Sequence, residues 1–337
     1  MKTPGPSPIR RRPPQAPRQR GAALLMAMMI VSLIATLAAG MMWQQWRAVQ
    51  VEIAERARSQ AEWILVGALD WARLLLREDA RDGKSTSLLS PWATPLKEAR
   101  LTTFLAADRD HVSEDAPDAF LSGQIRDAQA RYNLRNVVVA GKVVAAELAT
   151  LKRLCDLVGQ PPEVADQLAE ALRLAQPGTS ADLAAADSAQ RQPPLLPERI
   201  EDLAWLGLSP AAVQALQPHL VLLPRATPIN LNTASRVVIA AVLPGVDLAS
   251  AERLVQQRQR GAFNRPESAR PLLPGGITLD SARVATLSNF FEVTGRIRSE
   301  DLVVTQRSLV ERSANLEVRT LQSWRVPPDV AGLDVTD

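Results

Sequence analysis

The stretch Gly123 to Leu134, GQIRDAQARYNL, sets a carboxylate, an amide and a guanidinium at two-residue intervals: Asp127, Gln129 and Arg131. Lining a cleft, such a trio could do acid–base chemistry; elsewhere it holds a turn by side-chain hydrogen bonds. Here Phe120 and Gln124-Ile125-Arg126 lead into Tyr132-Asn133-Leu134, whose Asn suits a turn. The spacing therefore predicts a strand leaving through a polar turn that these side chains hold. No other segment offers a catalytic constellation: G-x-S-x-G, H-E-x-x-H and P-loop patterns are absent, and the scattered Asp/Glu and Arg pairs read as solvated faces. His111, His219 and the single Cys155 leave too few donors for a His/Cys metal cluster and no partner for an intramolecular disulfide. Cys155, inside the apolar pattern LKRLCDLVG, should pack as a small hydrophobe.

A second constellation lies in PINLNTASRVVIAAVLPGVDLASAERLVQQRQRGAF, residues 228–263. Asn232 is placed to cap a helix starting near Thr233-Ala234, Leu243-Pro244-Gly245 makes a turn, and Ala249 to Arg260 forms a second helix. This is a helix-hairpin-helix pattern, a device that can grip phosphate through backbone N–H groups at a Gly-rich hairpin. Only Gly245 is present here. Asp247 stands where a second glycine is usual, and its carboxylate would face the phosphate. Arg236, Arg253, Arg258 and Arg260 keep the segment slightly basic, yet the hairpin favours packing or protein contact over nucleic acid.

These segments must be carried by the rest of the chain, and its start is the most distinctive part. Gly21 to Trp43 contains no charged residue, long enough at ~1.5 Å per residue to span a bilayer core. Lys2, Arg10, Arg11, Arg12, Arg18 and Arg20 precede it without an acid, which holds the N-terminus in the cytoplasm. Trp43 and Trp46 sit where an aromatic belt would mark the far interface. The Pro- and Arg-rich leader has no apolar face and should be disordered. Ala38-Ala39-Gly40 leaves secretory cleavage open as an alternative. The first 21 residues hold six of the 39 Lys and Arg and none of the 36 Asp and Glu, so the remainder carries −3 and the global argument for nucleic acid goes with the leader.

Trp46, Val49, Ile53, Ala57, Ala61, Ile64, Ala68, Trp71 and Leu75 recur at steps of three or four, one apolar stripe on a continuing helix. The first strong breaker is Asp82-Gly83, so one helix of ~60 residues is expected, half in lipid and half on a globular domain. Helical fragments are expected around Leu96–Leu105. Residues 144–175 give a helical pattern, 177–199 a loop, and 200–225 two short helices with an extended exit. Asn289 to Ile297, Leu302 to Val310 and Leu316 to Leu321 read as three strands of an antiparallel meander, joined by the strand near Gln124–Asp127.

A Gly-terminated basic leader feeding such a helix resembles a type IV prepilin. The resemblance implies cleavage by a prepilin peptidase between Gly21 and Ala22, with Ala22 the methylated new N-terminus. Ordinary pilin-like subunits carry Glu five residues after the cut; here Met26 stands there, a departure that a filament-tip subunit with no neighbour above it tolerates. The central run Gly123, Ile125, Asp127, Gln129, Arg131, Tyr132, Asn133, Leu134 closely resembles type II secretion system protein K, a family that also has the hairpin. This second resemblance implies an α+β fold: a pilin-like N-terminal helix, transmembrane then amphipathic, packed on an antiparallel sheet, with a large helical insertion containing the helix-hairpin-helix-like segment. The layout it implies is a leader (1–21), transmembrane helix (22–43), first part of the pilin-like domain (44–139), helical insertion (140–280), terminal strands (281–326) and a loose tail (327–337). The role it implies is a non-catalytic minor pseudopilin that caps the periplasmic pseudopilus tip and helps start its assembly. Such a protein would sit single-pass in the bacterial inner membrane with its C-terminal domain in the periplasm. Other minor pseudopilins in a tip complex, the major pseudopilin and prepilin peptidase would be its partners. The family is associated with calcium near residues 177–199, but Asp182 and Asp187 are isolated among alanines, short of the six to eight oxygens Ca²⁺ needs, so no cofactor is expected. The alternative is a membrane-anchored DNA receptor using the hairpin.

Overall fold

The computed structural model describes residues 20–83, 85–101, 119–176, 194–299 and 302–327. Most of the leader, Asp182, Asp187, most of the 177–199 loop and the 328–337 tail lie outside them. The chain divides into two compact units, Met1–Ser59 and Gln60–Asp337.

The described residues of the first unit are helical. α1 runs Arg20–Arg81, 62 residues with no internal Pro, and ends where Gly83 takes φ +63°. Its stretch Gly21–Trp43 is exposed throughout and is long and apolar enough to cross a membrane. The Trp43 and Trp46 rings lie 5.6 Å apart at the end of that stretch.

In the second unit, five strands form one antiparallel sheet. In chain order these are β1 (Leu96–Arg100) and β2 (Ala119–Asp127), then, after the helical region, β9 (Phe290–Ser299), β10 (Leu302–Arg312) and β11 (Val318–Val326), with spatial order β1-β2-β9-β10-β11. Between β2 and β9 come short pieces β3 (Tyr132–Asn133), β4 (Val138–Val139), β5 (Lys142–Val143), β6 (Leu220–Val221), β7 (Ile229–Asn230) and β8 (Val284–Ala285). The same stretch holds helices α2 (Ala145–Leu157), α3 (Glu163–Ala175), α4 (Pro210–Leu216), α5 (Arg236–Val242) and α6 (Leu248–Arg260). Strands β2 and β9 are therefore neighbours across this whole interruption, paired Asp127↔Phe291 through Ala119↔Ser299.

One sheet face receives the end of α1. Ala61 and Leu65 pack with Leu121, Ile297 and Val304; Ala72 and Leu76 pack with Trp92, Ile125, Phe291, Val293 and Val310. Between the two groups Gly123 pairs across strands with Gly295. A Cβ on Gly295 would come 3.0 Å from Leu65 Cδ2, and one on Gly123 2.9 Å from the Thr294 carbonyl, so this glycine pair sets how closely helix and sheet approach. The helical region has its own larger core, running from Tyr132 through Leu151, Leu168, Leu203, Leu216 and Ile239 to Val284.

Three local expectations are corrected. Leu96–Arg100 is a strand, not a helical fragment: LKEAR has helix-forming residues, but edge pairing with β2 overrides that propensity. On α1 the stripe turns by one residue, so Ala72 and Leu76 are buried while Trp71 stays 42% exposed. The last strand runs on to Val326, because Arg325 and Val326 complete the ladder opposite Gln306 and Thr305.

Candidate functional site

The sheet and the helical region meet at Asp127, the last residue of β2. Its carboxylate is 4% exposed and accepts four hydrogen bonds. Oδ1 takes the Gln129 N–H at 2.8 Å, closing the expected turn. Oδ2 takes Ser288 Oγ–H and Thr233 Oγ1–H at 2.6 Å each and Asn230 Nδ2–H at 2.9 Å. Burial pushes the Asp127 pKa up, and the bonds from Ser288, Thr233, Asn230 and Gln129 pull it back. A buried charge is tolerated only when so saturated. The Ser288 and Thr233 hydroxyls, the Asn230 amide and the Gln129 N–H all spend a proton on this one buried carboxylate, so the arrangement ties segments together.

Similar bonds run along the motif. Gln129 donates to the Pro228 carbonyl (3.0 Å) and accepts the Asn289 N–H (2.7 Å). Asn133 donates to the Arg225 carbonyl (2.7 Å) and Thr227 Oγ1 (3.0 Å), while its oxygen accepts the N–H groups of Arg135 and Leu223. Asn136 and Thr227 exchange two bonds, at 2.9 and 3.0 Å. Arg131 pairs with Glu292 of β9 at 2.7 Å. Tyr132 is buried and its hydroxyl donates to Glu147 Oε2 at 2.9 Å; burial and that carboxylate raise the phenol's pKa well above its usual value. Leu134 is core, and Gly123 and Ile125 face α1. The polar residues of the motif hold distant segments as well as the local turn.

Arg312 carries the network to α1. It donates to the Leu76 carbonyl (3.2 Å), Asp79 Oδ2 (2.9 Å), Thr86 Oγ1 (2.8 Å) and the Ser288 carbonyl (2.9 Å), with its guanidinium over the Phe291 ring. Thr86 in turn accepts from Ser288 N–H, and its carbonyl accepts from Asn230. The motif pattern does not point to Arg312, Ser288, Asn230, Thr233 or Thr227. The polar alternation of Ile229-Asn230-Leu231-Asn232-Thr233 inside an apolar run is a usable signal for two of them; Arg312 has none.

The hairpin is built differently. Helix α5 is capped by Ser235, whose Oγ accepts the Val238 N–H at 3.3 Å. Asn232 is therefore not the cap: its amide bonds the backbone of Phe263 in both directions (2.8 and 2.9 Å), tying the entry of α5 to the exit of α6. Gly245 has φ +85°, which only glycine adopts without strain. Asp247 caps α6, its Oδ1 accepting the Ser250 N–H at 2.8 Å, and its bonds to Ser250 lower its pKa. The Ser250 N–H is thus already taken within the first turn of α6. Arg258 is buried and donates to the carbonyls of Leu231 and Ala234, Arg236 pairs with Glu252 and Arg253 donates to Ser250 Oγ at 2.8 Å, so three of the four arginines are already engaged within the chain.

Gly21, Ala22 and Met26 lie on the exposed first turns of α1. Cys155 is buried and its thiol is pushed up to about 11, that of an inert core residue. Among the described residues no three His, Cys, Asp or Glu side chains converge; Asp182 and Asp187, the residues weighed for calcium, lie outside them.

Two family models match, both described as type II secretion system (T2SS), protein K: one over residues 130–225, the other over 229–285. The amides of Gln129, Asn133 and Asn136 bond Thr227 and Pro228, in the short connection between those two regions. Proteins named type II secretion system protein K are similar along the chain. The Klebsiella pneumoniae one is 30% identical over 263 residues, covering 72% of this chain and 76% of its own. The Pseudomonas aeruginosa one is 25% identical over 321 residues, covering 90% and 92%. Among solved structures, a chain of the GspK-GspI-GspJ complex of the enterotoxigenic Escherichia coli type 2 secretion system superposes with a TM-score of 0.57 at 19% identity, covering 81% of this chain and 98% of that one.

Proposed function

The chain belongs to the type II secretion system protein K family, and on that premise we propose that it is a minor pseudopilin capping the periplasmic tip of the pseudopilus. In this reading Gly21–Trp43 anchors it in the bacterial inner membrane, prepilin peptidase cuts after Gly21, and Ala22 becomes the methylated N-terminus. Two other minor pseudopilins complete the tip complex, by analogy with the GspI and GspJ that accompany GspK in the similar solved complex, and the major pseudopilin follows below. The complex starts assembly, and the helical region of residues 140–280, inserted between strands of the pilin-like domain, blocks further subunits above.

The observation that carries the reading is α1. Its first part is apolar, uncovered and without a carboxylate at Met26, while Ala61 to Leu76 bury one face on the sheet. A carboxylate in lipid costs ~2.5–3.5 kcal/mol unless paired, and a terminal subunit lacks the neighbour that would pair it. The first test is the intact mass of the membrane-extracted protein with and without prepilin peptidase. A methylated Ala22 terminus that appears only with the enzyme supports the reading; a terminus near Met41, or an intact Met1 in both samples, overturns it. The capping step has its own test: a variant lacking residues 140–280 that leaves filament length and secretion normal sinks it.

A further inference from the structure

Several exposed arginines of the second unit are spent on carboxylates of the same chain. Arg199 pairs with Asp202, Arg225 and Arg319 with Glu311, Arg236 with Glu252 and Arg325 with Glu62. Arg260, Arg265 and Arg270 are also exposed, yet their side chains make no hydrogen bond or ion pair among the described residues. The acids on α6, on the turn after it and across the recess that Ala262 and Asn264 line do not compensate them. Glu252 is taken by Arg236, Glu78 by Arg81 and Asp79 by Arg312, while Asp247 caps the opposite end of α6. Glu267 and Asp82 remain, against three guanidinium groups. The helix dipole favours a cation at Arg260, in the last turn of α6, but does not account for Arg265 and Arg270 beyond it.

The backbone that displays these side chains is fixed. Phe263 is buried and bonded to Asn232 through both its N–H and its carbonyl. Ala269 is wholly buried in the helical core. Arg265 precedes, and Arg270 lies within, the turn Pro266–Leu272, which Pro266 and Pro271 stiffen. A rigid backbone lowers the entropy lost when the side chains it carries take a partner.

We propose that the surface from Arg260 to Arg270 docks an Asp- or Glu-bearing segment of a protein partner. Charge complementarity identifies the partner's chemistry: each planar guanidinium offers paired N–H donors that match the two oxygens of a carboxylate. A carboxylate is also what Arg199, Arg225, Arg236, Arg319 and Arg325 take within the chain. Nucleic acid fits this surface less well. The hairpin at Gly245 and Asp247 stands at the other end of α6, roughly 18 Å from Arg260 at the rise of an α-helix, so its backbone and the three arginines cannot grip one phosphate together. The surface lies within Gln60–Asp337 and does not depend on the filament role.

The test is isothermal titration of the full chain, in non-ionic detergent, with a hexaglutamate peptide and separately with a short DNA duplex, at two salt concentrations. The peptide should bind and weaken as salt rises. Arg260→Gln, Arg265→Gln and Arg270→Gln should each weaken it about threefold, and together about thirtyfold if they act independently. All three sites are exposed and make no side-chain bond within the described residues, so the fold should survive their loss. Arg319→Gln, at an exposed arginine already held by Glu311, should leave peptide binding unchanged. Glu267→Gln, which removes the acid beside the cluster, should strengthen it about threefold, a gain that misfolding cannot mimic. No peptide binding by the wild type, or a loss in the triple variant no larger than in Arg319→Gln, overturns the proposal. Duplex binding that is tighter than peptide binding and falls in the triple variant overturns the assignment of the occupant.

Discussion

The Asp127 connector and the hairpin around Asp247 each place an aspartate on backbone N–H groups, yet they do different work. Asp247 is exposed and serves its own helix, through Ser250 three residues on. Asp127 is buried and joins positions up to 161 residues away, at Asn230, Thr233 and Ser288. One polar atom on the surface competes with water and fixes a local shape; the same atom in the interior excludes water and fixes which segments meet. In this chain the second kind of site lets a five-stranded sheet be interrupted between β2 and β9 by a whole helical region and still close.

Asp127→Ala puts this contrast under the greatest strain. It strands four donors, so a loss of roughly 3–5 kcal/mol is expected, read as the fall in the denaturant midpoint at constant slope. A loss near that of an ordinary surface substitution would mean the buried network is dispensable. Next comes Gly123→Ala, where the new methyl meets the Thr294 carbonyl at 2.9 Å. About 1–3 kcal/mol should be lost, with the contacts of α1 around Leu65 disturbed more than the helical core. Near-UV signals from Trp92, in the sheet–helix cluster, against those of Tyr132, in the helical core, check that order.

The smallest expected effect separates the two aspartates by pH. The Asp247 pKa is lowered in the fold, so its contribution is full above the unfolded value of 3.8 and is lost as pH falls through the lower folded value. The Asp127 pKa is raised, so its effect has the opposite sign: stability is lost as pH rises from 3.8 through the folded value. Protection of the Ser250 amide, taken against the intrinsic exchange rate at each pH, should therefore fall below pH 3.8 in the wild type. In Asp247→Asn, which keeps an acceptor oxygen without a titrating group, that acid-side change should vanish. Persistence of the acid-side change in Asp247→Asn would count against the cap as its cause.

Much of the architecture was legible in the chain. The absence of charge from Gly21 to Trp43, the lack of any proline to Arg81 and the breaker at Asp82-Gly83 state one long helix, because these are local properties of backbone and solvation. The three C-terminal strands were visible for the same reason, in alternation broken by polar turns. The spacing from Gly123 to Leu134 announced a strand leaving through a polar turn held by side chains.

The packed fold settled the rest. LKEAR became a strand because β2 offered an edge, a contact that no local propensity encodes. Asn232 bonds Phe263 instead of capping α5, since Ser235 was nearer the helix start and the two ends of the hairpin needed tying. Arg312 reached Asp79, Thr86 and Ser288 only after the sheet had brought those segments within hydrogen-bonding distance. Residue types fix what each group can donate or accept; which donor finds which acceptor across long stretches of chain depends on the packed core excluding water around both.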